Sequence, residues 1–161
     1  MAEIVVVDGP ALVRTGTGVA DALETLGYTE GGVEIIEHVF SAPVPGDQNG
    51  GPEGPPIDIQ YFGEMHIVRL RLTKWDPATA AKVEPRLKGG TAGSTGTPGT
   101  LWSADSKMFR LLISPTSRPR NYVGAIPRGS IERAKGTKFT TLVMEFECYT
   151  VSGTLYNTTT S

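Results

Sequence analysis

The chain has 161 residues, 39% hydrophobic and 20% charged, with a formal net charge of −2. That size suits one domain with a real core. The near-balanced charge removes any overall electrostatic pull toward nucleic acid or membrane, and no stretch approaches the roughly 20 apolar residues of a membrane helix.

Twenty glycines and twelve prolines form about a fifth of the chain, against roughly 12% in ordinary usage. Their clustering in three stretches points to ordered strands joined by long loops. Cys148 is the single cysteine, which excludes an internal disulfide. It falls on the apolar face of a strand, as a buried small hydrophobe in a protein assembled in a reducing cytoplasm. The start, MAEIVVVDGP, lacks the basic region and apolar stretch of a signal peptide. Without export, the glycosylation pattern Asn157-Thr158-Thr159 would go unused.

Taken in order, Glu3 to Val7 is a short apolar run closed by the turn Asp8-Gly9-Pro10. A short strand is expected at Ala11 to Arg14. Val19, Leu23 and Leu26 have helical spacing with Gly27 as a stop; the same residues also fit an irregular loop packing two leucines. Val33 to Phe40 is rich in β-formers and predicts a strand.

Ser41 to Pro56 holds five prolines and four glycines, which forbid a helix or an inner strand. It is far longer than the usual connector of roughly four to six residues. Two readings fit: a disordered surface loop, or a flap that orders against another subunit.

Ile57 to Phe62 alternates, Gly63 interrupts, and Glu64 to Trp75 predicts a long strand. One face would carry His66, Val68, Leu70 and Leu72, and the other Met65, Ile67, Arg69, Arg71 and Trp75. Asp76-Pro77 opens a short helix as N-cap and first position. Ala80, Val83 and Leu87 are spaced to face the sheet, and Gly89-Gly90 ends it. Lys88 to Thr100 reads as a polar, flexible excursion. A strand within Leu101 to Ser114 carries Phe109, Leu111 and Ile113 on one face, and Pro115 to Gly129 reads as irregular.

Ser130 to Ala134 and Phe139 to Val151 flank the hairpin turn Lys135-Gly136-Thr137-Lys138. Phe139 to Val151 alternates throughout, about twice the usual strand length. Leu142, Met144, Phe146 and Cys148 form one face; Thr141, Val143, Glu145, Glu147 and Tyr149 form the other. The tail, Ser152 to Ser161, is polar and rich in threonine.

Catalytic signatures are missing from this pattern. His38 and His66 have no metal-ligand spacing around them, and each fits a structural role. Gly16-Thr17-Gly18 and Gly93 to Gly99 lack the residues that a dinucleotide or phosphate loop needs. The expectation is a protein with no catalytic residues, no cofactor and no metal.

Two charge features remain. Arg118, Arg120, Arg128, Arg133, Lys135 and Lys138 stand against Glu132 alone; they suit solvated loops or an acidic partner surface better than phosphates. Glu145 and Glu147 share the i, i+2 spacing of Arg69 and Arg71. They fit cross-strand ion pairs, and equally a negative surface that nucleic acid slides past.

Three stretches together resemble a bacteriophage tail tube protein: Leu26 to Ile35 leading into the Gly/Pro loop, Ile57 to Asp76, and Gly136-Thr137-Lys138 followed by Phe139 to Val151. The resemblance implies a mostly β fold, a small barrel or sandwich with one flanking helix, spanning the chain as a single domain. It implies hexameric rings whose long hairpins share an inner barrel, stacked into a tube in the virion tail. Assembly would take place in the bacterial host cytoplasm, with other tail proteins as partners. DNA would pass without specific binding, and no membrane is involved. On that reading Pro43, Val44, Pro45, Asp47, Asn49, Glu53 and Pro55 belong to an inter-subunit loop, and Glu145, Glu147, Arg69 and Arg71 to a lumen or a cross-strand charge set. A capsid cement or decoration protein, and a small ligand-binding module, are the alternatives.

Overall fold

The computed structural model describes residues 11–16, 22–84, 99, 101, 108–114, 119–127, 131–134 and 141–158. Within them lie β1 (Leu12–Thr15), β2 (Glu24–Val44), β3 (Asp58–Trp75), α1 (Pro77–Val83), β4 (Phe109–Ser114), β5 (Arg120–Ile126), β6 (Ile131–Ala134), β7 (Thr141–Cys148) and β8 (Tyr156–Asn157). The antiparallel sheet has the order β6-β7-β3-β2-β1-β4-β5-β8, and β5 also pairs with β7. Strands β7, β3, β2, β1, β4 and β5 therefore close into a ring. The outer edge of β7 is shared: β6 takes Thr141 to Met144, and β5 takes Glu147 and Cys148. This is the expected mostly β fold with one short helix.

Alternation explains which side chains fill the ring. His66, Val68, Leu70 and Leu72 of β3 are buried, as are Leu142, Met144, Phe146 and Cys148 of β7. Arg69 and Arg71 face out. Phe109 and Phe146 meet edge to face, with centroids 5.3 Å apart at 85°, the arrangement that aromatic quadrupoles favour.

The helix is built as its sequence predicts. Asp76 Oδ1 accepts the Ala78 backbone N–H at 3.0 Å, and its Oδ2 accepts the Thr79 hydroxyl at 2.9 Å. Ala80 and Val83 are buried against the sheet. The helix stops at Val83, since the residue before Pro85 is pushed to extended backbone.

Several expectations are corrected. Glu24 to Leu26 belong to β2 and not to a helix. Gly27 is no helix stop: it pairs with Trp75, and a Cβ there would lie 2.3 Å from the Lys74 carbonyl oxygen. Ile57 to Phe62 and Glu64 to Trp75 are not two strands. Asp58 to Trp75 is one strand of 18 residues, with Gly63 at φ 132 beside a register shift. β7 has 8 residues, so it is shorter than the alternation suggests. After Cys148 the chain leaves the ladder and turns at Ser152 and Gly153, between backbone hydrogen bonds joining Val151 and Thr154. Within the stretch expected to be irregular, Arg120 to Ile126 forms β5. Its Gly124 lets Val151 approach, where a Cβ would sit 2.5 Å from Val151 Cγ2. The expectations for Glu3 to Val7, for Lys135 to Lys138 and for most of Lys88 to Thr100 fall outside the described residues.

Candidate assembly surface

β2 and β3 outrun everything they pack on. β1 accompanies β2 only from Glu24 to Tyr28, and β7 accompanies β3 only from His66 to Leu72. Past Glu37 and His66 the pair continues alone to Val44 and Asp58. This two-stranded arm extends about 25 Å at ~3.4 Å per residue. Among the described residues neither of its outer edges takes a strand partner.

The strand keeps going through Ser41 to Val44, where the composition suggested only loop. Pro43 pairs with Ile59, and a proline is tolerated because the strand is an edge there. The tip is a compact turn. Gly51 N–H donates to Gly46 O at 3.1 Å, Gly54 N–H to Gly51 O at 3.2 Å and Ile57 N–H to Val44 O at 3.0 Å. Gly50 and Gly51 take the left-handed conformation, at φ 94 and 63, around a 3-10 turn at Asp47–Asn49. Pro43 and Val44 thus sit in β2, and Pro45, Asp47, Asn49, Glu53 and Pro55 in the tip. All seven loop candidates gather at one end of the molecule.

Burial is inverted on the arm. Nine large apolar side chains are exposed among the described residues, and six of them are Val39, Phe40, Ile57, Ile59, Tyr61 and Phe62. Ile59 is 65% exposed and Phe62 61%. An isolated two-stranded hairpin is marginal in water, and clustered exposed apolar groups mark interaction surfaces. With two open edges, the arm is suited to strand addition.

A polar cluster fixes the arm's root. Glu37 and Cys148 both flank His66 across the ladder. Arg120 Nη1 donates to Glu37 Oε1 at 2.7 Å and to Tyr122 Oη at 3.3 Å. Tyr122 Oη lies 2.9 Å from His66 Nδ1, and Arg120 stacks 4.9 Å above the Tyr156 ring. Burial holds the His66 imidazole below its ordinary value and pushes the Tyr122 phenol up to about 12. The Arg120 hydrogen bond keeps the Glu37 carboxyl below the usual range. Burial alone would lower the Arg120 value, but Tyr122 and Glu37 outweigh it and the guanidinium is held more firmly charged. Burial also raises the Cys148 thiol. The cluster joins β2, β3, β5 and β8, with His66 and Tyr122 buried and Glu37 exposed at its rim. Sequence reasoning placed His66 on the inner face but missed this set, because Arg120, Tyr122 and Tyr156 came from stretches read as loop and tail.

The outward charges divide. Arg69 lies opposite Glu145 and bonds it at 2.9 Å, with Glu34 at 3.7 Å from the same guanidinium. Arg71 lies opposite Val143, and Glu147 opposite Ile67, where its carboxylate accepts the Tyr149 hydroxyl. The structure brings one of the two predicted acid–base pairs together across the ladder and offsets the other.

No family model and no curated protein matches the sequence. Among solved structures, the chain is similar to one described as the tail of an empty GTA particle with C6 symmetry. The TM-score is 0.49 at 11% identity, covering 92% of this chain and 94% of that one.

Proposed function

We propose that the chain is a structural subunit that polymerises through its β2–β3 arm, as a tail tube protein of a phage-like particle. Its copies form hexameric rings that stack into a channel for DNA delivery, with no catalytic step. The observation that carries this reading is the arm, whose two outer strand edges take no strand partner among the described residues and which bears Val39, Phe40, Ile59, Tyr61 and Phe62 in solvent. Edge pairing between neighbouring arms satisfies the open backbone groups, and closing the ring leaves no edge over. The same contact buries apolar surface that the subunit cannot bury by itself.

The root cluster has a part in this. A ring needs every arm to leave its body at the same angle, and the Glu37–Arg120–Tyr122–His66 chain ties both arm strands to β5 at the point of departure. The outward face with Glu34, Glu145, Glu147 and Arg69 supplies the wall over which DNA moves. The test is negative-stain electron microscopy of the purified protein together with its mass in solution. Rings with a central hole, or stacked tubes, are expected. Compact monomers or trimers without a hole refute the reading and favour a decoration protein.

A further inference from the structure

His66 stands at the boundary between the core and the arm. Along β3 from the tip, Asp58 to Phe62 are exposed, Gly63 to Met65 are half-buried, and His66 is the first side chain to be fully enclosed. Titratable groups from every neighbouring strand close around it. Glu37 of β2 and Cys148 of β7 flank it across the ladder. Tyr122 of β5 and Tyr156 of β8 each set a ring centroid 5.6 Å from its own. Arg120 of β5 bonds Tyr122, and Glu64 precedes His66 on β3.

The hydrogen bonds here run in one direction. The Arg120 guanidinium has only donors, so the Tyr122 oxygen accepts from it at 3.3 Å. The Tyr122 hydroxyl then donates to His66 Nδ1, 2.9 Å away, which makes the neutral imidazole the Nε2–H tautomer. Its Nε2 is buried with no hydrogen-bond partner among the described residues. A proton taken up by this ring goes to Nδ1. Two cationic donors, His66 and Arg120, then face one phenol oxygen, and the Tyr122 hydrogen loses its acceptor. The phenol cannot yield by ionising, because burial pushes it up to about 12. The imidazolium keeps an unmet donor at Nε2, and a buried charge with an unmet donor is strongly disfavoured. Burial opposes the proton most, Glu37 and Glu64 favour it, and Arg120 opposes it. Water reaches the ring at least cost from the arm side. On the core side Val68, Leu70 and Phe146 are fully buried, whereas toward the arm the strand pair continues alone. Local opening takes place where buried contacts are fewest.

We propose that His66 is an acid-sensitive latch for the arm: on taking up a proton it reverses its bond to Tyr122 and frees the root of β2 and β3 from β5, while the core strands stay closed. The latch belongs to the single subunit and does not depend on what the arm binds.

The test uses the full chain at a concentration where its mass is the same at about pH 7.5 and about pH 5, on either side of the ordinary histidine range. Nitrogen NMR of the imidazoles reads the tautomer, with His38→Gln to tell the exposed His38 from His66. The Nε2–H form of His66 is expected at about pH 7.5. Amide hydrogen exchange, corrected for its intrinsic pH dependence, reads local opening. Protection of residues 37–40 and 62–66 should fall with acid, by no more than about tenfold per pH unit, the limit for a single proton. Protection of residues 68–72 and 142–146 should stay level. His66→Gln accepts the Tyr122 hydroxyl but takes no proton, so its root protection should not change with pH; should that variant fail to fold, the wild-type tautomer and exchange profile decide. An Nδ1–H tautomer at about pH 7.5 overturns the proposal, as does root protection that stays level while His66 titrates. Equal losses at root and core also overturn it, by making the effect global, and so does an undiminished decline in folded His66→Gln.

Discussion

Replacing Ile59 and Phe62 by threonine separates assembly from folding. Both side chains are on the arm, 65% and 61% exposed, and threonine keeps strand propensity at both places. Fully burying an Ile or Phe side chain contributes about 1.5–3 kcal/mol. Roughly a third of that is realised within the subunit, so the double variant costs the monomer at most about 1–2 kcal/mol. Much of this loss falls on the arm's own pairing, which can open without the core. The melting temperature should therefore fall by less than about 4 °C, at ~2–4 °C per kcal/mol for a chain of this size. The remaining two thirds is available only at an interface, about 2–4 kcal/mol per contact for the pair. That weakens association roughly 30- to 1000-fold. Mass photometry against protein concentration reads the association, and calorimetry reads the fold. Phe146→Ala is the control: Phe146 is fully buried against Phe109 and should cost about 3–5 kcal/mol, or roughly 6–20 °C. Unchanged association in I59T/F62T, or a melting loss as large as that of Phe146→Ala, would refute the arm as an assembly surface.

Three further outcomes are expected. Replacing residues 45–56 by Asn-Gly, a two-residue turn that suits a hairpin, should leave the melt unchanged within about 4 °C and shorten stacks while rings persist; a melt lowered well beyond that would show the tip to be part of the core. Gly27→Ala should destabilise by at least about 1–3 kcal/mol, because its Cβ meets backbone at Lys74 O; a melt equal to wild type would contradict the close approach of β2 to β3. The third outcome concerns acid. Burial depresses the His66 value, so the unfolded chain takes up that proton first. The contribution is complete above the ordinary value of 6.5 and lost as pH falls from there toward the folded value. Glu64 and Glu37 oppose the depression and Arg120 adds to it. Glu37, held low by Arg120, keeps its own contribution until the pH drops below 4.5 and then loses it through the folded value. Melting temperature should thus decline from pH 7 to pH 5, and His66→Gln should flatten that decline; an equal slope in the variant would remove His66 as its source.

What could be read from the sequence follows from the range over which each signal acts. Alternation is local, so the buried faces of β3 and β7 were legible to the residue, from His66 to Leu72 and from Leu142 to Cys148. Helix capping is local too, and Asp76-Pro77 announced α1. Pairing lengths are not local. Nothing between Phe139 and Val151 indicates that the strand ends at Cys148; beyond it Tyr149 N–H still bonds Gly124 O of the neighbouring β5, and the chain then turns at Ser152 and Gly153. The arm was hidden for the opposite reason. Its prolines argued against strand, although Pro43 needs only an unpartnered edge. The informative feature was a conflict: Ile57, Ile59 and Tyr61 alternate as if half-buried, in a stretch whose only charges are acidic, joined to a tip that offers nothing to bury them. A strand pattern with no covering element among the described residues is an incomplete core. The arm, with Ile59 and Phe62 in solvent, expresses that incompleteness, and in the proposed assembly it is the arms of neighbouring copies that complete it.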